Sequence, residues 1–315
     1  MLAGVGLALL GWLVYQAGPQ KLATNVIALG WYAPLVLVPY GLSTAFDAAG
    51  WRVTFAHRPP ALWLLYLVRL VGEAVNNVTP TAYLGGEPVK AYVLHRFGVP
   101  LTEGTTSVIL AKTALTVSQI AFVIIGATFY FIGRGAGWSG LPPLLAMTVA
   151  GAGVTVLLVL WQRRGLVESL ARLVRRVLPR AHLAARLERR AVDVDARLRA
   201  FYVARPWAAI TSVALHLAGW VAGALEVFTI MALIDHPVGW TGAIVIEALA
   251  QPVRLLGLVV PAAIGVQEAG GVMIFRLIGL PPELGLAVML LKRLREIGFS
   301  LLGLALLSVL RPPPQ

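Results

Sequence analysis

The 315-residue sequence contains no cysteine and few charged residues. Without cysteine, the chain has no disulfide framework, no thiolate metal site and no cysteine nucleophile. Charged residues make up 13% of the chain, whereas soluble domains usually carry about a quarter. Apolar residues make up 58%, so the composition predicts an all-α, polytopic integral membrane protein whose backbone polar groups are satisfied within helices.

Recognisable catalytic and cofactor motifs are also absent. His216 and His236 are isolated histidines with no second ligand at metal spacing, so we expect no metal site. No set of serine, histidine and acid suggests a catalytic triad. The paired glycines at 85–86 and 270–271 do not resemble a phosphate loop and instead predict close backbone approach or a hinge. The sequence therefore predicts a non-catalytic protein without a cofactor.

The formal net charge of +12 is concentrated in one segment. Segment 163–205 holds twelve arginines and four acids, and so contributes eight of the twelve net positive charges. Leucine, valine and alanine recur between the arginines at helical spacing, which favours an amphipathic segment that lies on anionic inner-leaflet lipid. The same pattern argues against nucleic acid, the other common partner of basic segments.

Eight apolar runs are long enough to cross most or all of a hydrocarbon core about 30 Å thick. The first lacks the basic region and the cleavage site of a signal peptide, so we interpret it as a span. Two further segments, 81–98 and 261–279, are too polar and too short for ordinary spans and predict broken or re-entrant elements. The predicted spans are 1–17, 25–49, 61–79, 101–132, 141–161, 207–233, 240–260 and 283–310.

The two broken elements are related by a shift of 181 residues. Without gaps, the shift gives seven identical pairs over positions 80–112, among them Pro80 with Pro261 and Glu87 with Glu268. Matching breakers in two halves are typical of transporters built from repeats. We therefore expect one domain, 1–315, with repeat 1 at about 61–132, the basic segment at 163–205 and repeat 2 at about 240–310.

The basic loops predict the topology, because such loops usually lie on the cytoplasmic side. If each broken element carries the chain to the other face, the amino terminus, the loop at Arg52, the segment 163–205 and Arg311 all fall on that side. The same arrangement places Pro80 and Pro261 on opposite faces. It therefore predicts inverted repeats and cytoplasmic termini.

Two acids are the first candidates for a functional site. Glu87 and Glu268 each follow a proline by seven residues, so each is expected in the first turn of a short helix, where the helix dipole stabilises a carboxylate by about 0.3–1 kcal/mol. One interpretation is a helix-stabilising acid. The other is a polar site near mid-membrane that binds a headgroup, an ion or a proton. The neighbouring candidates are Asn77 and Lys90 for binding, and Pro80, Gly85, Gly86, Pro261 and Gly265 as helix breakers.

Three cations are the second group of candidates. Lys112, Arg254 and Arg293 lie within apolar runs, where an unpaired charge costs about 2.5–3.5 kcal/mol. Glu247, seven residues before Arg254, and Glu296, three residues after Arg293, are partners on the same helical faces. One interpretation is a set of structural ion pairs. Because cations outnumber acids in the last part of the chain, the other is a site of positive potential that binds an anionic headgroup.

Several runs resemble a known family of membrane proteins. The runs TPTAYLGGEPVKAYVLHRFGVPLTEGTTSVI and LEVFTIMALIDHPVGWTGAIVIEALAQPVR, and above all VVPAAIGVQEAGG followed by GLPPELGLAVMLLKRLRE, resemble the lysylphosphatidylglycerol synthase transmembrane-region family, also called flippase-like domain proteins. The hopanoid-associated branch is the most similar. The sequence departs from that branch at GGEPVK, where the branch tends to a Val-Val-Arg ending, and at Lys112, where an acid is common.

The resemblance implies an inner-membrane protein that moves or flips a polar-headed lipid, such as a hopanoid lipid or a phospholipid. It also implies that the soluble aminoacyl-transferase domain of some relatives is absent. Two alternatives stay open from the residues. An intramembrane lipid-modifying enzyme would use Glu87 or Glu268 as a base, and a scaffold would recruit lipid-biosynthetic proteins through segment 163–205.

Overall fold

The computed structural model describes Tyr15 and residues 30–79, 85–133, 135, 141–177, 181–257, 260 and 263–310. Every regular element in these ranges is a helix, which confirms the predicted all-α fold. The first predicted span, apart from Tyr15, and the predicted breakers Pro80 and Pro261 lie outside the described residues.

Among the described residues, a 3-10 helix at Gly30–Val36 precedes eleven α-helices. The helices are α1 (Leu37–Val53), α2 (Leu62–Val78), α3 (Gly86–Arg96), α4 (Leu101–Gly133), α5 (Leu141–Arg163), α6 (Leu166–Val177), α7 (Ala181–Ala204), α8 (Pro206–Leu233), α9 (Trp240–Leu256), α10 (Val266–Ile278) and α11 (Pro282–Val309). Each predicted span from the third onward, and each broken element, coincides with a helix whose ends differ by at most five residues, whereas the second, 25–49, corresponds to the 3-10 helix followed by α1. The run 25–49 shows a 3-10 helix before α1, and Pro34 lies inside it without a backbone N–H to donate.

The helices differ in how readily they cross a membrane. By length and composition, α4, the Leu145–Arg163 part of α5, and α8 qualify as spans among the described residues. Helices α1, α2 and α9 have 17 residues each, which is about 26 Å and close to a hydrocarbon core of about 30 Å. Helix α11 has 28 residues, but four charged residues at 292–296 interrupt its apolar run. Charge, not length, therefore sets α11 apart.

The two broken elements are short helices with matching ends. Helix α3 has 11 residues and α10 has 13, about 17 and 20 Å, so neither crosses the membrane alone. Gly98 and Gly279, which the 181-residue shift aligns, follow these helices with φ of 87° and 82°. Glycine adopts this left-handed conformation without a steric cost. Both short helices are therefore followed by a glycine in the left-handed conformation.

Each broken helix packs between its two neighbours in sequence. Helix α3 contacts α2 and α4, and α10 contacts α9 and α11. Helices α10 and α11 approach closely, because a Cβ added at Gly285 would lie 2.4 Å from the carbonyl oxygen of Gly271. The 181-residue shift aligns Gly104 with Gly285. A Cβ added at Gly104 would lie 3.6 Å from the carbonyl oxygen of Ala91. The close backbone approach predicted from the paired glycines is thus present at Gly271 in the second half, and in the first half it lies at Gly86, where an added Cβ would meet the carbonyl oxygen of Gly72 on α2.

The three helices α2–α4 also pack reciprocally against the three helices α9–α11. Helix α2 contacts α11, and α4 contacts α9. The side chain of Asn77 donates to Ser300 Oγ at 3.0 Å across the first contact, and Gln119 donates to Gln251 Oε1 at 3.2 Å across the second. A two-fold relation between halves produces such reciprocal contacts. The orientation of this relation to the bilayer stays a prediction.

Segment 163–205 forms two helices, α6 and α7, that pack against each other. The backbone N–H groups of Val167 and Glu168, in the first turn of α6, donate to the Asp195 carboxylate of α7 at 3.1 and 2.8 Å. Helix α7 thereby satisfies the amino-terminal end of α6. At the end of α5, Gln162 donates to Thr113 of α4, which ties the start of the segment to the bundle.

Candidate functional site

An acid and two lysines meet at the start of the first broken helix. Glu87 lies in the first turn of α3, as predicted, and its carboxylate is 2.9 Å from Lys90 Nζ. Lys112, on α4, places its Nζ 3.5 Å from the same carboxylate. The backbone N–H of Gly86 donates to the Asn76 side chain at 2.7 Å, which anchors the start of α3 on α2.

The second broken helix carries the same pair in a tighter form. Arg293 of α11 donates to one oxygen of Glu268 through Nε at 2.9 Å and through Nη2 at 2.7 Å. The other oxygen accepts the backbone N–H of Gly265 at 2.8 Å, where φ is 80°. The 181-residue shift aligns Glu87 with Glu268 and Lys112 with Arg293. The aligned acid and cation are therefore in contact in both halves.

The two pairs differ in exposure. The side chains of Glu268 and Arg293 are 0% and 10% exposed, whereas those of Glu87 and Lys112 are 14% and 33% exposed. Protein encloses the second pair, while the first borders a cleft of about 280 Å³. The residues that line this cleft are Trp51, Arg69, Glu87, Lys90, Val108, Ala111, Lys112, Leu115 and His216.

The lining of the cleft is rich in positive charge. Arg69, Lys90 and Lys112 line it together with a single carboxylate, that of Glu87. Arg69 is in turn ion-paired with Asp47 of α1, behind the cleft. Cations gathered at membrane depth attract anionic groups. Much of this volume is open to solvent, so the cleft as it stands has room for about one water molecule, and a headgroup enters only if the surrounding helices move apart.

A second ion-pair cluster joins α8, α9 and α11. Lys292 binds Glu247 and lies 3.7 Å from Glu226, and Arg295 donates to Glu226 at 2.9 and 3.3 Å. The guanidinium of Arg295 also lies 3.9 Å from the centroid of the Tyr40 ring, a cation–π contact. All four charged side chains are buried. Breaking one of these pairs would leave an uncompensated charge, so the cluster constrains how the three helices pack.

The observed partners differ from those that the spacing predicted. We expected Glu247 to pair with Arg254 along one helical face, but the structure pairs Glu247 with Lys292 and places Arg254 3.9 Å from Glu296. The predicted contact between Arg293 and Glu296 is present at 3.3 Å. Spacing along a helix identifies residues that share a face. It does not identify the side chain that a neighbouring helix inserts there.

The excess of cations expected in the second half is balanced in the structure. Glu226, from α8, enters the cluster from outside the predicted repeat. The cations Arg254, Lys292, Arg293 and Arg295 therefore face the carboxylates of Glu226, Glu247, Glu268 and Glu296. The cleft lined by Arg69, Lys90, Lys112 and Glu87 lies in the first half, whereas a cleft in the second half has Arg254 as the charged residue of its lining.

Comparison with known protein families agrees with this architecture. Residues 2–303 match the family described as Lysylphosphatidylglycerol synthase TM region. The chain belongs to this family. The match covers both broken elements and the basic segment between them, and it establishes the chain as a membrane protein.

A shorter match connects this family member to a curated relative. The "UPF0104 membrane protein" of Methanothermobacter thermautotrophicus is 38% identical over 71 residues. The chain spans about a fifth of that relative, since the matched segment is 21% of this chain and 21% of the other. No solved structure matches the chain significantly.

Several residues of both clusters were not among the candidates predicted from the sequence. They are Asp47, Arg69, His216, Glu226, Lys292 and Arg295. A signal was available for two of them, because Asp47 and Glu226 are lone acids inside apolar runs and such an acid needs a partner or a wet cavity. In the described part of the chain, no group of three or more histidine, aspartate and glutamate side chains is arranged to hold a metal ion.

Proposed function

We propose that this protein moves a lipid with a polar headgroup, such as a hopanoid lipid or a phospholipid, across or out of the inner membrane. The cleft beside Glu87 carries the proposal, because three cations and one carboxylate line it within an apolar helical bundle. A negatively charged headgroup is attracted to such a lining. The acyl or polycyclic tail stays in the bilayer, against the apolar side chains exposed on the helices.

Lys112 is the cation best placed to contact a headgroup. Its side chain is the more exposed member of its pair, and Glu87 keeps Lys90 as a second partner at 2.9 Å. Lys112 can therefore exchange Glu87 for a phosphate without leaving that carboxylate unpaired. We propose that the pair of Glu268 and Arg293 is the enclosed counterpart of the pair of Glu87 and Lys112, and that it becomes accessible during transport.

Liposomes that contain the purified protein and a trace of fluorescent phosphatidylglycerol test the proposal. The fraction of label that a membrane-impermeant quencher reaches reports movement between leaflets. We expect faster movement than in empty vesicles, and a rate reduced about tenfold in Lys112→Gln, since one charge-assisted contact is worth about 1.4 kcal/mol or more. Arg96→Gln is the control, because Arg96 is exposed at the end of α3, outside the cleft. Movement no faster than in empty vesicles, for anionic and hopanoid lipids alike, would refute transport.

The enzyme alternative makes a different prediction in the same liposomes. Glu268 is 0% exposed and is engaged by Arg293 and Gly265, whereas a general base must reach the proton that it removes. Glu87 is the more accessible acid. We expect no new lipid species by mass spectrometry while labelled lipid moves. A new product that appears without relocation, and disappears in Glu87→Gln but not in the control Glu283→Gln, would favour the enzyme.

We also propose that segment 163–205 lies on the anionic inner leaflet, with both termini in the cytoplasm. Its twelve arginines support this side. Because the chain lacks cysteine, single cysteines report sidedness without background. Arg172→Cys, at a side chain that is 56% exposed, should react with an impermeant maleimide only after cell lysis. Gly135→Cys, at an exposed residue that follows α4, should react in intact cells. The reverse pattern would refute the topology.

A further inference from the structure

The chain also contains a buried acid and a buried histidine to which the proposed transport assigns no role. Asp47 of α1 and His216 of α8 are 5% and 1% exposed, and they lie where these two helices cross. A Cβ added at Gly50 would lie 2.4 Å from His216 Nδ1, and one at Gly219 would lie 3.0 Å from Asp47 Oδ1. Each side chain therefore rests on the backbone of the opposite helix, which fixes the ring and the carboxylate relative to each other.

The hydrogen bonds of His216 determine which ring nitrogen carries a proton. Nδ1 lies 2.7 Å from the carbonyl oxygen of Ser212. A carbonyl only accepts, so Nδ1–H donates and the neutral ring presents a lone pair at Nε2. Nε2 lies 4.0 Å from Asp47 Oδ1, an oxygen with no hydrogen-bond partner in the described structure. Two acceptors thus face each other, and one added proton would convert them into a donor and an acceptor.

The charges around this pair come from several helices. In addition to the Asp47 carboxylate on α1, the charged groups are Arg69 and Glu73 on α2, Glu87 and Lys90 on α3, and Lys112 on α4. Three cations therefore face three carboxylates, and the group is neutral while His216 is neutral. Glu73 and Lys112 are 37% and 33% exposed, but Asp47, His216 and Lys90 are buried. An anionic headgroup that entered alone would therefore leave an unbalanced negative charge beside buried groups, which is costly. If one proton enters with each monoanion, the net charge of the group stays at zero.

We propose that His216 and Asp47 bind one proton together with each monoanionic lipid headgroup that enters the adjacent cleft. This inference rests on the proposed function, which supplies the headgroup. His216 lines the cleft, so a proton from water can reach Nε2 from the same side. The new Nε2–H donates to Asp47 Oδ1, which weakens the hold of Asp47 on Arg69 and lets the guanidinium turn towards the headgroup phosphate. When the headgroup leaves, the proton returns from Nε2 to water.

Binding of the proton and of the headgroup are then linked reciprocally. Lower pH raises the affinity for anionic lipid, by about fivefold or more if the coupling is of ordinary size. In turn, lipid binding draws a proton from solution. A proton gradient across the membrane therefore drives the lipid in the direction of proton flow.

Calorimetric titration of dioctanoyl phosphatidylglycerol into the detergent-solubilised full chain tests the proposal. Titration in two buffers of different ionisation enthalpy gives the number of protons taken up for each lipid bound. We expect an uptake that approaches one proton per lipid. His216→Asn keeps a donor for the Ser212 carbonyl but lacks Nε2, so it should bind lipid more weakly and without proton uptake. His236→Asn, at an exposed histidine before α9, should keep the native uptake.

The outcomes separate this inference from the proposed function. Native protein that binds lipid with no proton uptake overturns the proton site and leaves transport standing, whereas native protein that binds no lipid overturns the proposed function. A direct measurement on lipid-free native protein does not depend on either variant. With ¹⁵N-labelled histidine, nuclear magnetic resonance should show the His216 ring gaining a proton at Nε2 while Nδ1 stays hydrogen-bonded. A His216 ring that stays neutral from about pH 4 to 9, a range around the ordinary histidine pKa, overturns the proton site.

Discussion

Removing the cation from the enclosed pair should destabilise the protein much more than the same change in the open pair. In Arg293→Met, Glu268 keeps its charge at a position that is 0% exposed. Loss of one partner from a buried pair costs about 3–5 kcal/mol, because the remaining charge is neither solvated nor neutralised. Methionine retains much of the apolar stem of arginine, so the expected loss is chiefly electrostatic.

Lys112→Met is the matched change in the first half. Lys112 is 33% exposed and lies 3.5 Å from Glu87, which keeps Lys90 as a partner at 2.9 Å. A partly solvated pair of this kind contributes about 0–1 kcal/mol. The free energies of unfolding of the two variants should therefore differ by about 2–5 kcal/mol.

Thermal unfolding in detergent, followed by the fluorescence of the nine tryptophans, measures this difference. At about 2 °C per kcal/mol for a chain of this size, Arg293→Met should lower the Tm by about 6–10 °C and Lys112→Met by at most about 2 °C. The double variant Glu268→Gln/Arg293→Met removes both charges and should recover most of the loss. Equal shifts in the two single variants, or a double variant as unstable as the sum of its singles, would refute the reasoning.

Two further predictions concern the packing of the helices. Gly86→Ala should lower the Tm, because the added Cβ would lie 1.9 Å from a carbonyl oxygen of α2 and overpacking costs about 1–3 kcal/mol. Gly298→Ala is the control: no atom lies within 4 Å of the added Cβ, so the change should stabilise α11 by about 0.5–1 kcal/mol. A Gly86→Ala protein as stable as the native one would contradict the close contact between α3 and α2. Asn77→Cys/Ser300→Cys should form a disulfide under mild oxidation, since the native side chains hydrogen-bond at 3.0 Å. Asn77→Cys/Ser308→Cys is the control and should form no disulfide, because Ser308 lies two turns further along α11. Non-reducing gels that show no cross-link in the Asn77→Cys/Ser300→Cys variant would contradict the packing of α2 on α11.

Local signals in the sequence were enough to predict α2 and α4 to within one residue at each end. The run 61–79 became α2 at Leu62–Val78, and the run 101–132 became α4 at Leu101–Gly133. Hydropathy, prolines and glycines act within a few residues of where they stand, so they mark where a helix begins and ends. For the same reason Glu87 and Glu268 lie in the first turns predicted for them.

The partners of the buried charges could not be predicted in this way. Asp47 pairs with Arg69, 22 residues away, and Glu226 pairs with Arg295, 69 residues away. A charge inside an apolar run shows only that a partner is needed. Which partner it finds depends on how α1, α2, α8 and α11 cross, and that is a property of the packed bundle.

The sequence by itself determined that an acid and a cation recur at matching positions of two halves of a helical membrane protein. Only the tertiary structure decided that one pair is enclosed and the other borders a cleft. Gly271 faces Gly285 in the second half, so the two backbones approach closely, whereas Ala91 faces Gly104 in the first and keeps α3 and α4 further apart. Identical spacing in the chain thus gives different access to solvent, because access depends on the distance between packed helices.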